Sequence, residues 1–92
     1  MGNICEVTWT KKSVSNALEI KSHLNRKFGK KDDLVWFEKL LKQFEKTVFH
    51  LPTLYPKSHK LKSLRRAVIH KNITIYYLVE KERITVISMK DN

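Results

Sequence analysis

The chain has 92 residues, of which 19 are Lys or Arg and 9 are Asp or Glu, so its formal net charge is +10. A hydrophobic fraction of 41% allows a small core, but the length leaves no room for a second domain, and no apolar run or signal pattern indicates a membrane or secreted protein. We therefore expect one cytoplasmic domain over residues 1–92, whose partner is a polyanion or an acidic protein.

The first part of the chain has the pattern of a strand followed by a helix. Alternating apolar and polar residues predict a strand over residues 4–9. Apolar residues then recur at helical spacing over residues 12–28, and Thr10 or Ser13 can cap the start of this helix. Gly29 follows the last apolar position, where helices often end.

A second helix has the most regular pattern in the sequence. Asp32 or Asp33 stands before it as a candidate cap, and Pro52 ends it. Because the turn between the two helices is short, we expect them to form an antiparallel hairpin. The apolar stripe of this second helix consists of Leu34, Phe37, Leu40, Leu41, Phe44, Val48 and Leu51.

The apolar spacing becomes alternating after a loop over residues 52–60. Strands are predicted over residues 64–70, 73–79 and 84–89, because β-branched residues are frequent and tight turns separate the segments. The predicted order is β-α-α-β-β-β. This order describes an α+β domain, in which the helical hairpin packs on an antiparallel four-stranded sheet.

The middle strand of this second half is apolar on both of its faces. Ile75 and Tyr77 point to one side, and Tyr76 and Leu78 point to the other. Only one side can meet the helices, so the second side is left for flanking loops of the chain or for a partner.

Positive charge is concentrated in the second half of the chain, where no acidic residue lies between Glu45 and Glu80. Four lysines of this stretch are candidates for contacts with nucleic-acid phosphates, and a solvated loop is the alternative. Tyr76 is a candidate for stacking on a base, and packing within the sheet is the alternative. The four lysines are Lys57, Lys60, Lys62 and Lys71.

Several short motifs follow one another in a recognisable order. They are the opening strand that ends in Trp9, Leu51-Pro52 after the second helix, Leu64-Arg65-Arg66, Ile75-Tyr76-Tyr77 and Ile84-Thr85-Val86-Ile87. Their order and spacing resemble the RelE/ParE superfamily of toxins from bacterial type II toxin–antitoxin pairs, over nearly the whole chain. The resemblance implies a toxin that a cognate antitoxin neutralises by wrapping an acidic and apolar segment over it.

The resemblance also implies two alternative activities. RelE-like relatives cut mRNA on the ribosome without a metal, and ParE-like relatives poison DNA gyrase. For the nuclease, the resemblance assigns an arginine of the second strand, here Arg65 or Arg66. Adjacent strand residues face opposite sides, so only one of the two arginines can meet a substrate. His59 is a candidate acid–base residue, and a plain surface histidine is the alternative.

Two positions depart from the RelE-like pattern. Thr74 stands near the place where those enzymes carry a further arginine, and the sequence ends at Asn92, where relatives continue with basic or aromatic residues. Both departures weaken the nuclease interpretation. Many ParE-like relatives also continue after an Asp-Asn pair with a further arginine, and its absence indicates a truncated chain, a naturally shortened member or a protein that lacks that function.

We expect ribosome-associated mRNA cleavage. The alternatives are a gyrase poison, a non-enzymatic RNA- or DNA-binding module and a degenerate toxin that only binds its antitoxin. We expect no cofactor and no metal site. Two glycines are too few for a Gly-rich phosphate loop, the single cysteine, Cys5, cannot form a zinc site, and the four histidines lack metal-ligand spacing.

Overall fold

The computed structural model describes residue 4 and residues 6–28, 31–71 and 73–91. The predicted element order is confirmed, and so is the α+β class. The roles considered for Cys5, Gly29 and Asn92 fall outside the described residues. The elements are β1 (Glu6–Trp9), α1 (Lys11–Phe28), α2 (Lys31–His50), β2 (Arg65–His70), β3 (Ile73–Val79) and β4 (Arg83–Asp91).

The four strands form one sheet in the order β1-β4-β3-β2. The central strand β3 is antiparallel to both β2 and β4. The edge strand β1 is parallel to β4, with Glu6 opposite Arg83 and Trp9 opposite Val86. The sheet is therefore mixed, and the prediction of a wholly antiparallel sheet is wrong at β1.

The direction of β1 follows from the path of residues 51–64, which we name the basic loop. Lys57 pairs with Arg65 in an antiparallel bridge, and the Arg66 N–H donates a hydrogen bond to the Pro56 carbonyl at 2.9 Å. The basic loop therefore runs back along the edge of β2 before β2 begins. This additional reversal of the chain makes β2 and β4 parallel to β1.

Thr10 joins β1 to α1 and caps the helix. Its N–H donates to the Val86 carbonyl at 3.0 Å, which continues the pairing with β4. Its hydroxyl accepts from the Ser13 N–H at 3.1 Å and donates to the Ile87 carbonyl at 2.9 Å. Of the two predicted caps, Thr10 is the one that binds an orphan N–H of the first helical turn.

The two ends of α2 differ from the prediction. The helix begins at Lys31, so Asp32 and Asp33 lie within its first turn instead of preceding it. It ends at His50, and Leu51 lies beyond the helix and is exposed. The predicted apolar stripe is one position too long, because Leu51 continues the helical spacing although the helix ends at His50.

The core lies between the helical hairpin and one face of the sheet. Phe44 of α2 meets Tyr77 of β3 edge to face, with ring centroids 5.6 Å apart. Ile75 and Tyr77 are both fully buried, so theirs is the side of β3 that faces the helices. The most buried apolar residues of the other elements are Phe37, Val48, Ala67, Ile84 and Val86.

We expect Thr10→Ala to lower the free energy of unfolding by about 1–2 kcal/mol, because both the helix cap and the bond to the Ile87 carbonyl are lost. Urea denaturation followed by circular dichroism measures this change. Ser15→Ala, on the exposed side of α1, is the control and is expected to stay within about 0.5 kcal/mol. Equal effects of the two changes would contradict the capping role.

Candidate functional site

The two consecutive arginines of β2 face opposite sides of the sheet. Ala67 is fully buried against the helices, and Arg65 lies two positions before it on the same side. The Arg65 Nη1 donates to the Tyr55 carbonyl at 2.8 Å. Arg66 is exposed and points to the opposite side, which we name the outer face. Of the two candidate arginines, Arg66 is therefore the one on the face that the helices leave open.

The outer face carries a row of polar side chains across three strands. Arg66 of β2 lies opposite Tyr76 of β3, and Tyr76 lies opposite Ser88 of β4. In the next row, Thr74, which is fully buried, lies opposite the exposed Lys90. Directly opposite residues have Cβ atoms about 4.5–5.5 Å apart, so the structure brings together Arg66 and Tyr76, two residues that the sequence proposed separately.

Ser88 and Lys90 were missed as outer-face residues. Ile84 and Val86 are buried, and strict alternation from them would turn Ser88 and Lys90 toward the core. The pairing of β3 with β4 instead shifts between Tyr76 and Tyr77, so β4 contains one extra residue. After this bulge Met89 is buried and Lys90 is exposed, because a bulge inverts the faces of the residues that follow it.

Charge is unevenly balanced along the sheet. Arg83, at the end where β4 begins, lies 3.5 Å from a Glu80 carboxylate oxygen and 3.9 Å from one of Glu6. In the part of the chain that the structure describes, Arg66 and Lys90 form no such ion pair. The uncompensated positive charge of the outer face therefore lies away from Arg83.

The basic loop, which carries four predicted site residues, is bonded to β2 next to Arg66. The loop is paired with β2 through Pro56 and Lys57, as described above. The Ser58 N–H also donates to the Leu64 carbonyl at 2.8 Å, which holds the loop to the start of β2. Lys71 is exposed at the other end of β2. Within the described residues, no hydrogen bond or ion pair joins His59 to Arg66 or Tyr76. The four predicted site residues of the loop, all of them exposed, are Lys57, His59, Lys60 and Lys62.

Tyr77 anchors the beginning of the basic loop from inside the core. Its hydroxyl donates to the Pro52 carbonyl at 3.0 Å, and its ring meets that of Tyr55 at 6.3 Å, almost perpendicular. Burial raises the pKa of Tyr77 to about 12, although the neighbouring Arg65 charge opposes the change. The buried phenol is therefore held in its neutral, hydrogen-bond-donating form.

The described part of the chain contains neither a cluster of metal ligands nor a membrane-spanning helix. No group of three or more His, Cys, Asp or Glu side chains there is placed to hold a metal ion. None of the helices described is both long and apolar enough to cross a membrane.

We expect the stability that Tyr77 contributes to be present below pH 10 and lost as the pH rises toward 12, because its pKa is raised from 10.0 to about 12 on folding. Tyr77→Phe should cost about 1 kcal/mol at neutral pH. Above pH 10, the free energy of unfolding of the wild type should fall by up to about 3 kcal/mol as Tyr77 ionises, whereas the Tyr77→Phe variant has no such group. The variant should then become the more stable of the two chains. Urea denaturation of both chains across this range tests this, and a constant difference would contradict it.

Comparisons with known proteins place this fold. No protein-family model matches the chain, and no curated protein matches its sequence. A chain of the chromosomal ParDE toxin–antitoxin system of P. aeruginosa is similar with a TM-score of 0.82 at 13% identity, over 98% of both chains.

Two further solved structures are similar over almost their whole lengths. HP0894 of Helicobacter pylori has a TM-score of 0.63 at 18% identity, over 97% of this chain and 96% of that chain. The YoeB dimer of Staphylococcus aureus has a TM-score of 0.61 at 13% identity, over 99% of both chains. The chain therefore has the fold of the RelE/ParE-type toxins, as the resemblance of its motifs implied.

Proposed function

We propose that this chain is the toxin of a type II toxin–antitoxin pair and that it inhibits growth by cleaving mRNA on the ribosome. The toxin part rests on the match of the whole chain to a chain of a ParDE toxin–antitoxin system. The observation that carries the RNA part is the row of Arg66 and Tyr76 beside a loop rich in exposed lysines.

Arg66 is suited to the electrostatic part of the reaction. Metal-independent cleavage requires activation of a 2′-hydroxyl, stabilisation of the phosphorane charge and protonation of the 5′-oxygen that leaves. A guanidinium group remains charged at all physiological pH values and can donate two parallel hydrogen bonds to phosphate oxygens. In this proposal Arg66 stabilises the phosphorane, and Lys90 or His59 serves in the proton transfers.

The remaining site residues have a binding role in this proposal. Tyr76, directly opposite Arg66, stacks on a base next to the cut. Contacts of lysine with phosphate supply affinity and position the strand without reading its sequence. Arg65 is separate from this group, because it faces the helical side. The lysines proposed to contact phosphates are Lys57, Lys60, Lys62 and Lys71.

The same charge defines the proposed silencing partner. A cognate antitoxin with an acidic segment competes with RNA for the basic loop and the outer face, because both ligands are attracted by the same uncompensated cations. The proposed ribosomal target places the chain in the cytoplasm.

Gyrase poisoning is the second candidate, and one observation favours it. The TM-score with the chain of the ParDE system is 0.82, against 0.61 with YoeB. The two activities differ in target and not in the expected effect on growth. Induction in growing cells should therefore be combined with an assay of the target.

We expect induction of this chain to arrest growth and to produce new RNA 5′ ends at a fixed position within codons. Arg66→Ala should lower the cleavage rate by about 10²–10³, because one charged donor to the phosphorane is lost. Mapping of RNA 5′ ends after induction measures both effects. Arg83→Ala is the matched control, because Arg83 is an exposed arginine of the same sheet whose charge is already compensated.

Three results would count against the mRNA-cleavage proposal. Trapped cleavage complexes in a supercoiling reaction, without new RNA ends, would assign gyrase as the target. RNA binding without growth arrest would favour a non-enzymatic module. Co-purification with the product of the adjacent gene, without either toxicity or RNA binding, would indicate a degenerate toxin.

A further inference from the structure

The start of the basic loop is fastened by two side chains from neighbouring strands. The Arg65 guanidinium of β2 donates to the Tyr55 carbonyl at 2.8 Å, and the Tyr77 hydroxyl of β3 donates to the Pro52 carbonyl at 3.0 Å. Arg65 and Tyr77 are register partners. The two anchors therefore lie side by side and hold two points of the loop that are three residues apart in sequence.

Neither anchor lies where a ligand of the outer face would reach it. Tyr77 is fully buried, and Arg65 is half-buried on the side of the helices. The Tyr55 ring packs against Phe44 of α2 with centroids 6.2 Å apart. This contact, together with the Arg65 bond to the Tyr55 carbonyl, fixes the first half of the loop to the core.

We propose that Arg65 is a positioning residue: it holds the basic loop so that Lys57, Lys60 and Lys62 face the same polyanion as Arg66. The two consecutive arginines then have different roles, because Arg66 contacts the ligand and Arg65 acts through the loop. The proposal rests on the proposed function only for the identity of the polyanion, a single-stranded RNA.

The physical reason is preorganisation. A free loop loses conformational entropy when several of its lysines are brought to one phosphate chain, and this loss weakens binding. A loop that is already held against β2 loses less conformational entropy on binding. Because the anchors are hydrogen bonds to main-chain carbonyls, they fix the path of the loop and leave the lysine side chains exposed to the ligand.

Limited digestion with trypsin tests whether Arg65 holds the loop. Trypsin cuts after lysine and arginine, and only its cuts after Lys57, Lys60 and Lys62 are counted, because these report the mobility of the loop. We expect Arg65→Met to accelerate these cuts several-fold, and Arg65→Lys, which keeps the charge and one type of donor, to restore part of the protection. Arg83→Met, which also removes one exposed arginine, should leave them unchanged.

Binding of RNA tests whether the held loop serves a ligand. The probe is a uridine oligomer of about 16 nucleotides. We expect Arg65→Met to weaken its binding about tenfold and Tyr77→Phe about threefold. Tyr77→Phe changes no charge and keeps the packed ring, so its effect is due to the loop alone. It also keeps the test valid if Arg65→Met fails to fold.

A double-mutant cycle separates positioning from direct contact. When Lys57, Lys60 and Lys62 are all alanine, the loop no longer has lysines to position. Arg65→Met and Tyr77→Phe should then each change RNA affinity by less than about twofold. If Arg65 touched the RNA itself, Arg65→Met would lower the RNA affinity by the same factor with and without the three lysines.

Three results would each overturn the proposal. The first is an equal loss of RNA affinity with and without the three lysines, and the second is unchanged trypsin cleavage in both anchor variants. The third is a wild-type chain that does not bind RNA. These measurements use the purified chain without ribosomes or an antitoxin. A chain that binds RNA through the held loop without arresting growth would therefore contradict the proposed toxin activity and would still support the positioning role.

Discussion

The structure depends on a buried phenol that must find a hydrogen-bond acceptor. Tyr77 is fully buried between the sheet and α2, and an unpaired hydroxyl in that place would be costly. Its acceptor is the carbonyl of Pro52, just beyond the end of α2. The Tyr77 side chain thus connects the central strand to Pro52, where the helical hairpin has ended and the basic loop begins.

The path of the basic loop accounts for the directions of the strands. With its start fixed beside Tyr77, the basic loop returns along β2 and reverses the chain once before the sheet resumes, so β1 and β4 are parallel. The pairing of β3 with β4 also shifts at this residue. The resulting bulge turns Met89 into the core and Lys90 outward, and it thereby determines which residues of β4 lie beside Tyr76.

The sequence predicted what local periodicity determines and missed what depends on pairing between distant segments. The stripe of Phe37, Phe44 and Val48, and the sides of β3, follow from helical and strand periods within one element. The direction of β1 depends on a loop more than forty residues away in sequence. The bulge in β4 has no compositional signal, so Lys90 was not proposed for the site. Which arginine faces outward required the register of β2 against Tyr76 and Tyr77.

Repulsion among the positive charges of this surface is unfavourable, and an anionic ligand reduces it. The basic loop, with its exposed lysines, is bonded to β2 next to Arg66, and among the described residues none of these cations forms an ion pair with a carboxylate. Like charges held on a fixed surface repel one another. Arg65 and Tyr77 hold the loop by donating to its neutral main-chain carbonyls, so the anchoring does not cancel the charge of its lysines. Under the proposed function, RNA and an acidic antitoxin segment both relieve this repulsion. The two ligands then compete because they bind the same surface, and one can replace the other without a change in the fold.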